Sequence, residues 1–278
     1  AAADENSIYE KLDMKMVPPE LREEIQNQDA VIPQDLVTLR SIKAELHSHT
    51  VASDGSMTLE ELIQQARSRG FHTLAVTDHS KSSVQANGLS VERLLAHIEA
   101  IQEANRCHDD ITVLAGSEVD ILADGSLDYD DDILSRLDWV IASPHSSLRQ
   151  EPEKATKRLL KAIEHPLVHA IGHPTGRLIN EREGLSPDMA RLFEAAKEHE
   201  TAMELNANPW RLDLRDRHVR MAQDAGVMVT VDTDAHSPTD FDLLRYGIMT
   251  ARRGGLCTSL CPNCWPADEL LAWIRSKR

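Results

Sequence analysis

Short apolar runs alternate with amphipathic stretches along most of the chain. From Ile42 onward, a run rich in β-branched or apolar residues is followed by a polar loop and then by a stretch with helical periodicity. This rhythm predicts seven strands, over residues 42–48, 73–78, 112–117, 138–143, 168–172, 202–206 and 227–232. Strands that alternate with helices form a parallel sheet, so the pattern indicates an α/β fold, most economically a closed or nearly closed barrel.

Helix start signals support the intervening helices. Thr58 precedes a helix that reaches Arg69, with Glu61 placed as in a capping box, and Ser90 precedes a helix to about Asn105. Further helices are predicted over residues 152–164, 187–199, 215–225, 239–252 and 266–276. Residues 1–40 lack this rhythm apart from a short helix near Pro19, and we interpret them as a lead-in to one domain over residues 41–278.

Composition limits the classes of protein to consider. The 278 residues are 41% hydrophobic and 27% charged, and no apolar run approaches the roughly 20 residues of a membrane helix. The first residues do not resemble a signal peptide, so we expect a cytoplasmic protein. Because the chain does not begin with Met, we expect a trimmed chain or a fragment of a longer one.

The formal net charge of −16 argues against a nucleic-acid binder that depends on a basic face. Part of the acid excess is expected to be metal ligands, because bound divalent ions would invert the local field felt by a phosphate. The rest, including the acid-rich stretch 124–132, is expected to be solvated surface, since its spacing does not match a calcium-binding loop.

The four cysteines are too few for a disulfide scaffold in a chain of this length. Cys257, Cys261 and Cys264 are close enough in sequence to hold a zinc ion, but no fourth ligand is evident. Reduced, unpaired thiols are the favoured interpretation.

Candidate metal ligands begin at the end of the first strand. His47 and His49 are two residues apart, so on a strand both imidazoles face the same side, and Asp54 follows in a turn. Neutral imidazoles and carboxylates are usual ligands of zinc, manganese and iron. By itself the His-x-His pair is equally compatible with two polar residues at a strand end.

The other strand ends carry the same residue types. Six of the thirteen histidines lie there, and chemistry in parallel α/β folds collects at the carboxyl ends of strands. The expected ligands are His47, His49, Asp54, His79, Glu118, His145, His173, Asp234 and His236. Nine ligands exceed the needs of one or two ions, so we expect three.

Such an ion cluster suggests a reaction. A carboxylate such as Glu118 can bridge two ions roughly 3.5–4 Å apart, the spacing used for displacement at phosphorus. Water bound to such ions has a pKa near about 7 and supplies hydroxide without a serine or cysteine nucleophile. Glu118, His145 and Asp234 are therefore candidate catalytic residues for hydrolysis of a phosphate ester.

Further residues are placed to support this chemistry. Asp78, Asp120 and Asp232 are expected to orient the imidazoles, with solvated loop acids as the alternative. A substrate phosphate also needs hydrogen-bond donors, and the candidates are Lys81, Arg177, Asn206 and Arg211, with surface salt bridges as the alternative role. Lys81 is also expected to neutralise negative charge during the reaction. The remaining histidines are expected to be structural.

Several motifs in order resemble the PHP (polymerase and histidinol phosphatase) superfamily. They are His47-Ser-His49, Thr77-Asp78-His79-Ser80, Glu118, Pro144-His145-Ser146, Gly172-His173-Pro174 and Asp234-Ala-His236. More narrowly, the stretches Val17–Glu23, Leu46–Thr50, Ala75–Lys81, Asn87–Ser90, Gly172–Leu178 and Glu204–Pro209 resemble the PHP domain at the carboxyl end of bacterial family X DNA polymerases.

The resemblance implies a distorted (β/α)7 barrel whose mouth binds three divalent metal ions through all nine residues. The expected ions are zinc or manganese, with iron and magnesium as alternatives. It also implies a manganese-stimulated 3′-5′ exonuclease with related 3′-phosphatase and abasic-site activities in DNA repair. No amino-terminal nucleotidyltransferase domain precedes the matching region, so polymerase activity is not expected from this chain, and a polymerase domain is an expected partner.

The leading hypothesis is therefore a metal-dependent phosphodiesterase that acts on DNA 3′ ends. The first alternative is a phosphomonoesterase acting on a small metabolite such as histidinol phosphate. The second is a metal-stabilised polymerase module without catalysis, which loss of several ligands would mark, and none of the nine is missing.

Overall fold

Seven parallel strands form the centre of the structure, a computed structural model that describes residues 4–22 and 33–277. Each strand pairs in parallel with the next one along the chain, which confirms the predicted (β/α)7 arrangement. The strands are β1 (Ala44–Glu45), β2 (Thr73–Val76), β3 (Thr112–Asp120), β4 (Trp139–Ser143), β5 (Ala170–Ile171), β6 (Ala202–Asn206) and β7 (Val229–Asp232).

Helices connect successive strands and cover the outside of the sheet. Thr58 and Ser90 cap their helices as predicted, and Glu61 completes the capping box with Thr58. The helices are α1 (Glu5–Lys11), α2 (Leu59–Ser68), α3 (Val91–Cys107), α4 (Asp131–Leu134), α5 (Pro152–Ile163), α6 (Met189–Glu198), α7 (Asp216–Ala225), α8 (Leu244–Arg253) and α9 (Ala267–Ser276). None of the helices in the described ranges is both long and apolar enough to cross a membrane.

Two strands are much shorter than predicted, because side-chain carboxylates accept the backbone amide hydrogen bonds that a neighbouring strand would otherwise accept. After β1, the amide of Leu46 donates to the carboxylate of Asp232 at 2.9 Å. After β5, the amide of His173 donates to the carboxylate of Glu204 at 2.6 Å, and His173 has a positive φ of 25°. The predicted strands over 42–48 and 168–172 therefore end where functional side chains begin.

Two further differences concern helices. The acid-rich stretch 124–132, expected to be solvated surface, is partly buried: Asp128 is 5% exposed and accepts a hydrogen bond from the amide of Ser82, and the last two residues of the stretch begin the short helix α4. The helix predicted over 239–252 is a 3-10 turn at Asp240–Leu243 followed by α8. The α4 helix is defined by Ile133 and Leu134, which pack inward after a run of acids, whereas the predicted helix over 239–252 differs from the structure only in its first turn.

Asn263 closes the barrel between its first and last strands. Its fully buried side chain donates to Ala44 O at 3.1 Å and accepts from the amide of Val231 at 2.9 Å. Its backbone carbonyl also accepts from the amide of Lys43 at 2.7 Å. One asparagine thus supplies hydrogen bonds that direct pairing of β1 with β7 would supply, which makes the barrel nearly closed.

The barrel interior is filled from its amino-terminal end. Trp139, Ala170 and Ala202 pack there against Leu270 and Ile274 of α9, which covers this end. A larger apolar layer lies between the strands and the outer helices. Because the amino end is filled by apolar side chains, the polar side chains of the interior collect at the carboxyl end.

The described part of the lead-in packs on the barrel. Leu21 is fully buried, and Glu20 forms an ion pair with Arg252 of α8 at 2.7 Å between Oε1 and Nε. Residues 1–3 and 23–32 of the predicted lead-in lie outside the described residues. The boundary at residue 40 between the lead-in and the barrel domain therefore stays a prediction.

Candidate metal centre

The loop after β1 brings His47 and His49 to one point, although neither residue is in a strand. Their ring centroids are 5.2 Å apart. His47 Nε2 lies 3.4 Å from Glu118 Oε1, and His49 Nε2 lies 3.0 Å from Asp234 Oδ1. The predicted convergence is therefore present, but the tight loop produces it and not the strand alternation.

Glu118 of β3 lies at the centre of the site. Its side chain is almost completely buried, and three further imidazoles contact its carboxylate. The distances are 2.9 Å to His79 Nδ1, 3.2 Å to His145 Nε2 and 2.8 Å to His173 Nε2. A buried carboxylate with several imidazoles on both of its oxygens has the geometry of a bridging ligand.

Asp54 and His236 form the outer side of the site. Asp54 Oδ1 lies 3.2 Å from His236 Nε2 and 3.5 Å from His79 Nε2. The side chain of Asp54 is 33% exposed, whereas the inner imidazoles are buried. The site therefore opens to solvent on this side.

The structure thus brings all nine expected ligands together. Eight of them form three overlapping groups whose ligand atoms lie within 4.8 Å of one another, and His173 joins through Glu118. The groups are His49, Asp54, His79 and His236; His47, His49 and Asp234; and His79, Glu118 and His145.

The donor set fits divalent cations. Among the described residues, His47 Nε2, both ring nitrogens of His49 and Asp234 Oδ1 are buried without a hydrogen-bond partner. Leaving so many polar atoms unpaired in the interior costs free energy, which coordination of a cation would recover. Imidazole and carboxylate donors are those of zinc, manganese and iron sites.

Acids and imidazoles shift one another's pKa values strongly in the absence of an ion. Burial alone would lower the pKa of His79, but Glu118 and Asp54 raise it to about 10. Burial is likewise outweighed at His145, where Glu118 and Asp120 raise the pKa to about 9. His49 has the opposite shift, because burial and the neighbouring His236 and His79 lower its pKa to about 4.

The predicted orienting acids differ in what they contact. Asp120 Oδ1 lies 2.9 Å from His145 Nδ1, so it is placed to hold that ring. Asp78 instead accepts hydrogen bonds from the loop that carries the ligands, at Thr50 and Ser53. Asp232 contacts no ligand imidazole: its carboxylate accepts from the amide of Leu46 and from Asn263. Asp78 and Asp232 thus contact the segments that carry the proposed ligands and not the ligand imidazoles.

Sequence reasoning missed three residues beside the site. Glu204 Oε1 lies 2.6 Å from His47 Nδ1, and His97 Nε2 lies 2.9 Å from Asp78 Oδ2. Glu45 accepts from the amide and hydroxyl of Thr233 in the loop after β7. Glu204 stands at the end of β6, where the ligands also collect, and that position was the available signal.

The predicted phosphate-binding residues fall into two pairs. Asn206 Nδ2 donates to Asp234 Oδ2 at 3.0 Å, and Arg211 Nε lies 3.8 Å from the same oxygen. Lys81 lies outside this contact range, with its ammonium 5.7 Å from the Tyr129 ring centroid. Arg177 donates to the carbonyls of Arg211 and Leu212.

The other histidines and the cysteines lie outside the three ligand groups among the described residues. Cys257, Cys261 and Cys264 are free thiols in the structure, and burial raises the pKa of Cys257 to about 11. A high thiol pKa disfavours the thiolate that zinc requires.

A family model, described as the PHP domain, matches residues 45–208. The chain is 41% identical over 272 residues to the DNA polymerase/3′-5′ exonuclease PolX of Bacillus subtilis, covering 98% of this chain and 48% of that protein. It is also 30% identical to a protein of Caldicellulosiruptor saccharolyticus named "Probable phosphatase", covering 72% of this chain and 82% of that protein. The chain therefore spans about half of PolX and most of the second relative.

The fold is shared with a solved structure from another bacterium. A candidate histidinol phosphatase from Listeria monocytogenes superposes with a TM-score of 0.59 at 14% identity, covering 71% of this chain and 97% of that chain. At this identity the likeness concerns the barrel alone, and it agrees with the seven-stranded arrangement described above.

Proposed function

This chain belongs to the PHP domain family, and we propose that it is a metal-dependent phosphoesterase that hydrolyses phosphodiester bonds at DNA 3′ ends. The phosphoesterase class is supported by the family match, by the phosphatase relative and by the donor set. The choice of DNA rests on one observation, the match of 98% of this chain to PolX, whose printed name includes a 3′-5′ exonuclease.

We assign all nine converging side chains as ligands of three divalent ions, either zinc or manganese. When bound, these ions supply an activated water and neutralise charge that develops on the phosphate. The chain's own residues fix the geometry: Glu118 joins the inner and outer groups, and Asp120 holds His145. Asp234 is positioned by Asn206 and Arg211 at the side where a substrate phosphate would enter.

Basic residues in the loops at the carboxyl ends of the strands supply positive charge for the substrate phosphate. Arg211 Nε lies 3.8 Å from Asp234 Oδ2 and can contact a nonbridging phosphate oxygen, while Lys81 is exposed in the loop after β2, with its ammonium 5.7 Å from the Tyr129 ring centroid. Arg177 acts indirectly on the substrate, because it donates a hydrogen bond to the carbonyl of Arg211 and thereby holds the loop that carries Arg211. Polymerase domains are natural partners, since PolX is about twice as long as the part matched here.

Hydrolysis of a small phosphomonoester is the second candidate, favoured by the phosphatase relative of which this chain covers 82%. A 3′-labelled oligonucleotide and histidinol phosphate should be compared in the presence of manganese. We expect stepwise release of nucleotides from the 3′ end and loss of this activity in Asp234→Asn. The matched control is Asp109→Asn, an exposed acid outside the site. Turnover of histidinol phosphate alone would refute the exonuclease assignment.

A further inference from the structure

A groove lined by arginines lies beside the candidate metal centre. It has a volume of about 710 Å³ and lies between the loop after β5 and the start of α7. Its basic lining residues, called here the arginine groove, are Arg177, Arg182, Arg215, Arg217 and His218. In a chain with a net charge of −16, such a concentration of positive charge is a local exception that needs a reason.

The arginines of the groove form no ion pairs with the described acids around them. Among the described residues, no carboxylate oxygen lies within 4 Å of the side-chain nitrogens of Arg177, Arg182, Arg215 or Arg217, unlike the paired Arg252. Arg182 Nε donates to the carbonyl of Gly176 at 2.9 Å, and Arg177 also donates to carbonyls. Carbonyl contacts fix the guanidinium groups, and carboxylates act on them only from beyond ion-pair distance, as Asp213 does on Arg177 and Glu181 does on Arg182.

Two further features agree with a positive field in the groove. Arg215 Nε is buried and has no hydrogen-bond partner among the described residues. Burial, together with Arg217, Arg215 and Arg177, lowers the pKa of His218 to about 4. Glu181 and Glu183 also line the groove, but both are exposed and neither forms an ion pair with the described arginines. The groove is therefore an anion site along its arginine side.

The groove is linked to the metal centre through the loop that carries Arg211. Arg211, which lies 3.8 Å from Asp234, has its carbonyl bound by Arg177 of the groove. Arg182 is also close enough to Arg211 for the two charges to interact. A chain of guanidinium groups therefore extends from the candidate ligands outward along one side of the barrel mouth.

An exposed aromatic side chain stands at the junction. Trp210 precedes Arg211 in the loop after β6, and 63% of it is exposed. Its carbonyl accepts a hydrogen bond of 2.7 Å from the amide of Ile179, so it is tied to the loop that carries Arg177 and Arg182. A large exposed indole costs solvation free energy unless a ligand covers it, and an indole face is a platform for a nucleobase.

We propose that Trp210 and the arginine groove form a track for single-stranded nucleic acid, on which a base stacks on Trp210 while upstream phosphates contact Arg182, Arg215 and Arg217. This inference rests on the proposed function, because it assumes that the 3′ end occupies the metal centre. Aromatic stacking next to a row of positive charges is the usual construction of a single-strand site. A small phosphomonoester would reach only Arg211 and would make no use of the groove.

Binding measurements test the track separately from catalysis. The metal-loaded protein is titrated with a fluorescent single strand of about 12 nucleotides that carries nonhydrolysable phosphorothioate linkages at its 3′ end. We expect Trp210→Ala to weaken binding by about 5- to 150-fold and Trp210→Phe to retain most of it, since one stacked base has that effect. Each of Arg182→Gln and Arg217→Gln should reduce the slope of log K against log salt by about 0.7.

Arg136→Gln is the matched control, because Arg136 is exposed before β4 at the opposite end of the barrel. It should leave both the affinity and the salt slope unchanged. Hydrolysis of bis(p-nitrophenyl) phosphate by each variant reports on the metal centre alone. The ratio of kcat/KM for the oligonucleotide to kcat/KM for this ester should fall in the track variants and stay constant in the control.

The outcomes distinguish the two proposals. Unchanged oligonucleotide affinity and salt slope in Trp210→Ala, Arg182→Gln and Arg217→Gln would overturn the track, even if the protein degrades DNA. Normal single-strand binding through these residues without cleavage of an unmodified strand would support the track and refute the exonuclease function.

Discussion

Oε1 of Glu204 lies 2.6 Å from Nδ1 of His47, and both side chains are fully buried. Because Nδ1 is occupied in this way, Nε2 is the nitrogen of His47 that faces Glu118 and Asp234. The second carboxylate oxygen of Glu204 accepts a hydrogen bond from the amide of His173. One acid of β6 therefore positions two of the proposed ligands, from the loops after β1 and β5.

Glu204→Gln should weaken the affinity for divalent metal by about 10- to 100-fold, because a neutral amide no longer holds His47 as the carboxylate does. Competition of manganese or zinc with a chromogenic chelator measures the change. Glu198→Gln, an exposed position on α6, is the control and should bind metal as the unmodified chain does. Equal affinities in the two variants would show that Glu204 does not position a ligand.

Metal binding should release protons at neutral pH. His79, His145 and His236 have pKa values raised to about 10, 9 and 9, in each case by neighbouring carboxylates that outweigh burial. All three imidazoles are therefore protonated at pH 7 in the metal-free protein and must lose a proton to bind an ion. Calorimetry in buffers of different ionisation enthalpy should detect this release, and the apparent metal affinity should rise with pH up to about 9. Binding without proton release would contradict the proposed ligand set.

The same shifts predict how the stability of metal-free protein depends on pH. The pKa of each of these histidines is higher in the folded chain than the ordinary value of about 6.5, so protonation favours the folded state. This stabilisation is fully present below about pH 6.5 and is lost as the pH rises through 9–10. Denaturant unfolding of metal-stripped protein should therefore give a smaller free energy of unfolding at pH 9 than at pH 7. The free energy of unfolding of metal-loaded protein should not decline in this way. A larger free energy of unfolding at pH 9 than at pH 7 in the metal-stripped protein would contradict the prediction.

Asn263→Ala should lower the free energy of unfolding by about 2–4 kcal/mol, because several buried hydrogen-bonding groups lose their partner at once. The affected groups are the amide of Val231 and the carbonyl of Ala44 on the two strands that the barrel must join. Urea unfolding measures the loss. Asn6→Ala, in an exposed part of α1, should change stability by less than about 0.5 kcal/mol. Similar small changes in both variants would mean that Asn263 does not close the barrel.

The sequence was sufficient to predict the barrel and the positions of most helices, although not of α1 or α4. Periodic apolar residues mark α2 and α3, and their caps at Thr58 and Ser90 fix where they begin. Strand ends were harder to predict, because β1 and β5 end where a carboxylate from a distant segment takes a backbone amide. Such a bond joins residues 186 positions apart in the case of Leu46 and Asp232, and local patterns carry no information about it.

The convergence of the nine proposed ligands was predictable because their positions depend on the strand ends. Residues such as Glu118 and Asp234 follow apolar runs, and the carboxyl ends of parallel strands meet whatever the details of the loops. The residues that support them could not be assigned in the same way. Asp78, Asp120 and Asp232 each lie within two residues of a proposed ligand, yet only Asp120 contacts the imidazole of a proposed ligand. Burial and the partners of each carboxylate decide that difference, and both depend on the tertiary structure.

The metal content of the purified chain tests the central claim most directly. After loading with manganese or zinc and removal of excess ion, elemental analysis should find about three divalent ions per chain, as the nine converging ligands require. Glu118→Gln should lose at least one of them, because Glu118 contacts His79, His145 and His173 at once. A chain that retains no divalent ion, or a Glu118→Gln variant with undiminished metal content, would contradict the account.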